Sequence, residues 1–174
     1  LRLRLGLDRR RARMESIAWL ERLAVPDAER LYRQYPHEFS GGMLQRVVIA
    51  AAVALRPCLL IADEPTTALD VSVQAETLEC LDELRRDLGM GLLFITHDLS
   101  VVAQIADRVA VMYAGQIVES ASVEQIYRAP QHPYTKCLYR ALPAADGGGL
   151  EPIAGTAPDL RQVISACRFE PRCP

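Results

Sequence analysis

The sequence has 174 residues, a formal net charge of -2 and 50% hydrophobic residues. This length and composition suit one ordinary globular domain and exclude a disordered or collagen-like chain. The near-neutral charge offers no polyelectrolyte basis for binding nucleic acid. The longest wholly apolar run, residues 47–55, is shorter than the roughly 18–20 residues that span a bilayer. We therefore expect a soluble chain that can still sit on a membrane partner.

The first 35 residues are rich in arginine and repeat apolar side chains at helical spacing from Ile17 to Ala24. We expect this helix to stop at Pro26. Acidic residues lie among the arginines, which favours a solvated helix face over a nucleic-acid site. Because the first residue is leucine and no signal-peptide pattern precedes it, we also expect the start of the chain to be a cut.

A second helix is predicted from Met43 to about Leu55, with Ser40, Gly41 and Gly42 at its start. Serine suits the N-cap position. Glycines let the backbone approach an anion closely, and the free N–H groups and the helix dipole favour negative charge there. Ser-Gly-Gly alone is weak support for an anion site, because a plain turn has the same composition.

Two short apolar runs, residues 58–62 and 92–95, flank an amphipathic helix predicted over residues 71–88. Continuous apolar runs of this length are typical of strands that are buried on both faces of a parallel sheet. We therefore expect a βαβ unit with a right-handed crossover.

The remaining residues predict shorter elements and a tail. We expect helices at 100–106, 123–127 and 134–142, paired strands at 109–113 and 116–119, and a linker at 143–149. Residues 150–174 are rich in proline and show little periodicity.

Five cysteines are widely spaced in the chain. They are Cys58, Cys80, Cys137, Cys167 and Cys173. An odd number without a secretory leader argues against a disulfide framework. Cys58 and Cys80 lie in apolar stretches, so we expect both to be buried thiols that behave as small hydrophobic side chains.

Polar side chains follow both predicted parallel strands, as Asp63-Glu64 and as His97-Asp98. Ligands of parallel α/β sheets bind beyond the carboxyl ends of the strands. One carboxylate there can hold Mg²⁺ together with phosphate oxygens and waters, and a neighbouring one can polarise a water for attack on phosphorus. A single aspartate at a strand end would more simply cap a helix, but the whole cluster favours a phosphate-processing site.

Three segments together resemble the ABC-type ATPases. Residues 35–46 resemble the family's signature segment, residues 59–70 its Walker B strand and D-loop, and residues 95–98 its switch-histidine segment, in the family's order and spacing. Met43 stands where glutamine is usual.

The ATPases of peptide and nickel importers are similar in having methionine at that position. They are also similar at residues 131–138 and at the ending, residues 167–174, so the resemblance covers nearly the whole chain. It implies an α/β fold, namely a P-loop NTPase-type ABC ATPase core that lacks its Walker A front half and carries part of the helical subdomain.

The resemblance also implies a domain organisation. Residues 1–55 would be a partial helical subdomain that ends in the signature helix, and residues 56–120 the rear of the catalytic core. Residues 121–142 would be C-terminal helices, and residues 143–174 a linker and a truncated tail.

The resemblance implies the following roles. Asp63 would hold Mg²⁺ through water, Glu64 would be the general base, and His97 would contact the γ-phosphate. Asp70 of the D-loop would act across a dimer. The signature residues would grip the ATP bound to the opposite subunit; they are Ser40, Gly41, Gly42, Met43 and Gln45.

The chain contains no G-x-x-x-x-G-K-[ST] phosphate loop, and its single lysine is Lys136. We therefore expect the C-terminal half to two-thirds of an ABC ATPase, inactive or poorly active alone. ATP and Mg²⁺ are the implied cofactors. The implied partners are a second ATPase subunit, transmembrane permease subunits and, indirectly, an extracytoplasmic solute-binding protein, which places the subunit peripherally on the cytoplasmic face of the membrane.

Three alternatives stay open. The chain can be a non-catalytic fragment that lends its signature segment to an intact partner. Alternatively, its parent can be a soluble ABC ATPase of DNA repair or translation, although the importer-like tail argues against this.

Some of the similar importers bind an iron–sulfur cluster in the tail. Cys167 and Cys173 offer two thiolates where a cluster usually takes four, so a tail without a cluster, folded or disordered, is the other reading.

Overall fold

A computed structural model describes residues 1–67, 69–142, 151–161, 164 and 166–174. These residues form two compact units, Leu1–Leu99 and Ser100–Pro174. The linker predicted at 143–149 lies outside the described residues. Within the ranges that the structure describes, no helix is both long enough and apolar enough to cross a membrane.

The first unit combines a helical part with a βαβ unit. Its elements are α1 (Arg2–Leu5), α2 (Arg9–Arg22), α3 (Ala28–Leu31), a 3₁₀ turn (Pro36–Glu38), α4 (Gly41–Val53), β1 (Leu59–Asp63), α5 (Val71–Leu88) and β2 (Gly91–Ile95). Helix α2 packs against both α3 and α4. The core of the unit includes Trp19, Leu23, Val53 and Leu81.

Helix α2 ends earlier than the sequence pattern predicts. Its last residue is Arg22, so the expected stop at Pro26 is wrong. The reason is that Ala24 adopts a left-handed conformation with φ of 52°. The N–H of Val25 then turns back to the carbonyl of Leu20 at 2.9 Å, which closes the helix end before proline is reached.

Helix α4 begins at Gly41, two residues before the predicted Met43, and Ser40 is its N-cap. The Ser40 hydroxyl oxygen accepts a hydrogen bond from the backbone N–H of Met43 at 3.4 Å. The predicted capping role of Ser40 is therefore confirmed, and it places both signature glycines in the first turn of the helix.

Arg46 on α4 ties three elements together. Its guanidinium donates to the carbonyl oxygens of Leu23 and Ala24 at 3.2 and 3.1 Å, and it forms an ion pair with Glu76 of α5. We expect Arg46→Ala to lower the free energy of unfolding by about 1–3 kcal/mol, because two carbonyl groups lose a charged donor. Urea denaturation measures this, with the exposed Arg33→Ala as the matched control. Equal stability of the two variants would contradict the prediction.

The predicted βαβ unit is confirmed. Strands β1 and β2 pair in parallel with Asp63 opposite Ile95, so their carboxyl ends lie at the same edge of the sheet. Helix α5 connects them; Asp70 caps its start, and Gly89 ends it in a left-handed conformation with φ of 60° that glycine adopts without strain.

The expectation that both strands are buried on both faces is wrong. Leu60 is buried, but the alternate residues Leu59, Ile61, Leu93 and Ile95 are 44–59% exposed. Successive side chains point to opposite faces of a strand, and in the described part of the chain this sheet has two strands and one face left uncovered.

Cys58 is exposed and not buried, because it lies just before β1 begins. The other thiol expected to be buried, Cys80, is half-buried, and burial raises its pKa.

The second unit is built on an antiparallel hairpin. Its elements are α6 (Leu99–Ile105), which begins at the end of the first unit, β3 (Arg108–Tyr113), β4 (Gln116–Ser122), α7 (Val123–Arg128), α8 (Pro133–Arg140) and a 3₁₀ turn (Glu170–Arg172). These bounds confirm the elements predicted here from the sequence to within one to three residues. The pairing of β3 with β4 is irregular between Val111 and Met112.

The C-terminal segment, residues 166–174, folds onto this hairpin. Phe169 is fully buried, with its ring 5.2 Å from that of Tyr113 and 5.3 Å from that of Tyr134. The guanidinium of Arg172 donates to the Tyr113 hydroxyl at 3.2 Å, and that of Arg168 donates to the carbonyl of Ala114. Aromatic packing and arginine hydrogen bonds hold this segment.

Candidate active site

The carboxyl ends of β1 and β2 bring Glu64 and His97 together. Glu64 follows the last residue of β1, and its backbone N–H donates to the carbonyl of Ile95 at 2.9 Å. The side chains meet across 33 residues of sequence, with His97 Nδ1 at 2.8 Å from Glu64 Oε1. The two polar clusters that the sequence predicts at neighbouring strand ends are therefore in contact.

Glu64 has an unusual backbone conformation, with φ of 48°. A non-glycine residue rarely adopts this left-handed region, and such residues cluster at functional sites. The turn that follows holds it, since the Thr67 hydroxyl donates to the second carboxylate oxygen of Glu64. The sequence analysis did not identify Thr67. A signal was present, because Thr67 has a hydroxyl three residues after Glu64 in a turn whose second residue is Pro65.

These contacts set the protonation of the pair. The Thr67 hydroxyl, and then the His97 imidazole, lower the pKa of Glu64. The hydrogen bond to the Glu64 carboxylate raises the pKa of His97. Because an ionised carboxylate only accepts hydrogen bonds, the proton lies on His97 Nδ1. The Nε2 atom of the exposed ring is then the one that can face a ligand.

The signs of these shifts define the pH range in which the pair stabilises the fold. The lowered pKa of Glu64 gives stabilisation above the ordinary glutamate pKa, which is lost as the pH falls through the lowered value. The raised pKa of His97 gives stabilisation below the ordinary histidine pKa, which is lost as the pH rises through the raised value. Both contributions are complete only in mildly acidic solution, between the two ordinary values.

We expect Glu64→Gln to lower the pKa of His97 towards its ordinary value, because the neutral amide removes the charge that favours the imidazolium. An NMR titration of the imidazole C–H signals measures this shift. Glu79→Gln, which makes the same substitution at an exposed glutamate of α5, is the matched control and should leave the His97 signals unchanged. An unchanged His97 titration would contradict the assigned pair.

Asp63 is the last residue of β1 and is exposed. Its hard carboxylate oxygens are of the type that Mg²⁺ prefers, and this ion is usually held by one or two carboxylates with substrate phosphates and waters. The described residues contain no group of three or more potential ligands that could hold a metal ion. The Asp63 carboxylate beside Glu64 is the kind of ligand that Mg²⁺ takes when it binds together with phosphates.

Asp70 caps helix α5. Its Oδ1 accepts the backbone N–H of Val73 at 3.0 Å and the Ser72 hydroxyl at 2.7 Å, and these bonds lower its pKa. The action across a dimer that the sequence predicts for Asp70 stays a prediction.

The signature residues lie at the beginning of α4. They do not include Glu64 and His97, which follow β1 and β2. Gly41 has open space around its Cα, so that an added methyl group would meet nothing within 4 Å. A methyl group on Gly42 would come within 2.7 Å of Val73 Cγ1. Met43 and Gln45 are half-buried. Gly42 is thus required by packing against α5, whereas packing leaves Gly41 unconstrained.

The cysteines proposed as cluster ligands lie in the second unit. Cys167 is exposed, with its Sγ at 3.8 Å from His132 Nε2. Cys173 is also exposed, and it lines a cavity of about 390 Å³ together with Cys137. A cluster usually takes four thiolates, and the described residues place no such set together.

Two family models match the chain. Residues 4–67 match the model described as "ABC transporter", and residues 118–174 match the "Oligopeptide/dipeptide transporter, C-terminal region". The chain therefore contains residues of an ABC transporter ATP-binding domain. It also contains the C-terminal region of the oligopeptide and dipeptide transporters.

Individual relatives agree with this assignment. The chain is 50% identical to the dipeptide transport ATP-binding protein of Bacillus subtilis, over 97% of this chain and 51% of that protein. It is 49% identical to the oligopeptide transport ATP-binding protein of Haemophilus influenzae, over 99% and 54% respectively. The chain spans about half the length of the curated relatives it matches.

A solved structure has the same fold. A bacterial ABC transporter cassette in a dimeric structure superposes with a TM-score of 0.59 at 27% identity, over 67% of this chain and 49% of that one. The predicted α/β fold of an ABC ATPase core is therefore confirmed.

Proposed function

We propose that the chain supplies the signature segment, the hydrolytic carboxylate and the switch histidine of an ATPase subunit that drives an ABC importer for peptides or a similar small solute. The observation that carries this proposal is the 2.8 Å contact between Glu64 and His97 at the ends of two parallel strands. The peptide-transport names of the relatives support the choice of solute.

Glu64 acts on the attacking water. Its lowered pKa keeps it ionised, so it accepts a hydrogen bond from the water, orients the oxygen towards phosphorus and takes up the proton. His97 holds the Glu64 carboxylate through Nδ1 and presents Nε2 to the γ-phosphate. Asp63 would hold Mg²⁺ through water, and this ion would neutralise negative charge that develops on the phosphate oxygens.

The start of α4 binds the phosphate of an ATP molecule that is held by a second subunit. Ser40 and Gly41 are exposed, and a helix start offers unpaired N–H groups and the positive end of the dipole to an anion. A composite site of this kind requires a second ATPase subunit, and the dimeric structure of the related cassette supports it. We place the assembly on permease subunits at the cytoplasmic face of the membrane, where an extracytoplasmic binding protein delivers the solute.

A hybrid protein tests this function. The matching half of the Bacillus subtilis dipeptide transport ATP-binding protein is replaced by this chain, and the hybrid is expressed in cells that lack the native protein. We expect MgATP hydrolysis and ATP-dependent dipeptide uptake to be restored. A second hybrid, built in the same way from the Haemophilus influenzae protein, is the matched control.

The outcomes separate the parts of the proposal. Hydrolysis without uptake would retain the ATPase assignment and overturn the importer assignment. A hybrid that folds but is inactive, beside an active control hybrid, would overturn both.

A second candidate function rests on the start of α4, where Ser40 and Gly41 are exposed. The chain would then lend the start of α4 to an intact ABC subunit without hydrolysing ATP itself. In that case it should co-elute with such a subunit in ATP and lose this association with Gly41→Asp, which places a negative charge where the phosphate binds. Independent elution in ATP would exclude this candidate.

A further inference from the structure

The first turn of α5 contacts two motifs at once. Val73 lies so close to the signature residue Gly42 that an added methyl group would be 2.7 Å from its Cγ1. The next residue, Gln74, donates its side-chain N–H to Asp98 Oδ2 at 3.4 Å. Asp98 directly follows His97. One helical turn therefore contacts both the signature segment and the loop that carries the switch histidine.

The direction of the His97 side chain depends on that loop. Its side chain is 75% exposed, so few neighbours restrict its rotation, and an exposed contact with Glu64 is a weak constraint by itself. The hydrogen bonds of this loop include two that involve Asp98. The backbone N–H of Asp98 donates to Thr96 Oγ1 at 3.0 Å, and Gln74 attaches the Asp98 side chain to α5.

We propose that Gln74 is a positioning residue for the His97–Glu64 pair. Its hydrogen bond to Asp98 holds the loop in the conformation that directs the imidazole of His97 to the carboxylate of Glu64. The catalytic role of the His97–Glu64 pair rests on the proposed function, but the way Gln74 holds the pair in place does not. Because Val73 and Gln74 are consecutive, a displacement of the signature segment reaches His97 through two side-chain contacts.

The tautomer of His97 reports this arrangement directly. While Glu64 is in contact, the proton of the neutral ring lies on Nδ1, because an ionised carboxylate only accepts. Once the loop is released, the ring loses this preference and Nε2–H gains population. A glutamine that merely supports the helix would change stability and leave the tautomer ratio alone.

The experiment measures imidazole ¹⁵N shifts in the ¹⁵N-labelled 174-residue chain, at a pH where His97 is neutral, with His97→Gln to assign the signals. We expect Gln74→Ala to lower the ratio of Nδ1–H to Nε2–H about threefold to tenfold, the effect of losing one hydrogen bond of ordinary net strength. Alanine favours the helix, so folding is preserved. The isosteric Gln74→Glu places a carboxylate against Asp98 and should lower the ratio at least as far.

Gln104→Ala is the matched control, since the Gln104 amide donates to the carbonyl of Ser100 in its own helix. The control should retain the original ratio. An unchanged ratio in both Gln74 variants would overturn the proposal. A lowered ratio with undiminished MgATP turnover in the active hybrid would support the positioning role and show that the hydrolytic role given to His97 is wrong.

Discussion

Glu64→Gln should reduce MgATP turnover by about 10²–10⁴-fold, the usual contribution of a positioned general base, while nucleotide binding is retained. The amide has the same shape as the carboxylate, and its oxygen can still accept a hydrogen bond from Thr67 or His97. It cannot take up a proton from water. Hydrolysis by the active hybrid protein, measured as phosphate release, and binding of a fluorescent ATP analogue separate the two effects.

Glu79→Gln is the matched control, because it changes an exposed glutamate of α5 by the same substitution outside the site. It should leave turnover within a factor of two of the unchanged protein, as expected of an ordinary surface replacement. Should Glu64→Gln hydrolyse ATP as fast as this control, Glu64 would have no role as a base.

The contact between Glu64 and His97 was within reach of sequence analysis, and the conformation of Glu64 was not. Apolar runs that end in Asp-Glu and His-Asp predict two parallel strands whose carboxyl ends share an edge, and this alone brings the side chains close. The left-handed backbone at Glu64 and the Thr67 hydroxyl arise within the turn. Residue type does not encode that geometry, because most turns accept these residues without it.

Burial was the least predictable property. An apolar run such as residues 59–62 indicates a strand but not which neighbours cover it, and Leu59 and Ile61 are exposed on one face. The same limit applies to Cys58, which lies one residue outside the strand. Ser40-Gly41-Gly42 likewise predicts a capped helix start, but only the structure separates a glycine required for packing from one that is not.

Replacing the two signature glycines by alanine should therefore have opposite effects on the free energy of unfolding. Gly41→Ala should raise the free energy of unfolding by up to about 1 kcal/mol, because alanine has the better helix propensity and the site has room. Gly42→Ala should lower it by about 1–3 kcal/mol, because the methyl group overlaps Val73. Urea denaturation of the two single variants measures the difference.

Activity should distinguish the glycines in another way. If ATP on the opposite subunit contacts the backbone at the start of α4, the methyl group of Gly41→Ala displaces the phosphate by about 1 Å, a misplacement that can reduce turnover by about 10²-fold. This loss would accompany a gain in stability, which a folding defect cannot produce. Val73→Ala makes room beside Gly42. The double variant Gly42→Ala/Val73→Ala should therefore recover part of the unfolding free energy that Gly42→Ala alone loses. A Gly41→Ala protein that is more stable and fully active would exclude close approach of phosphate to this turn.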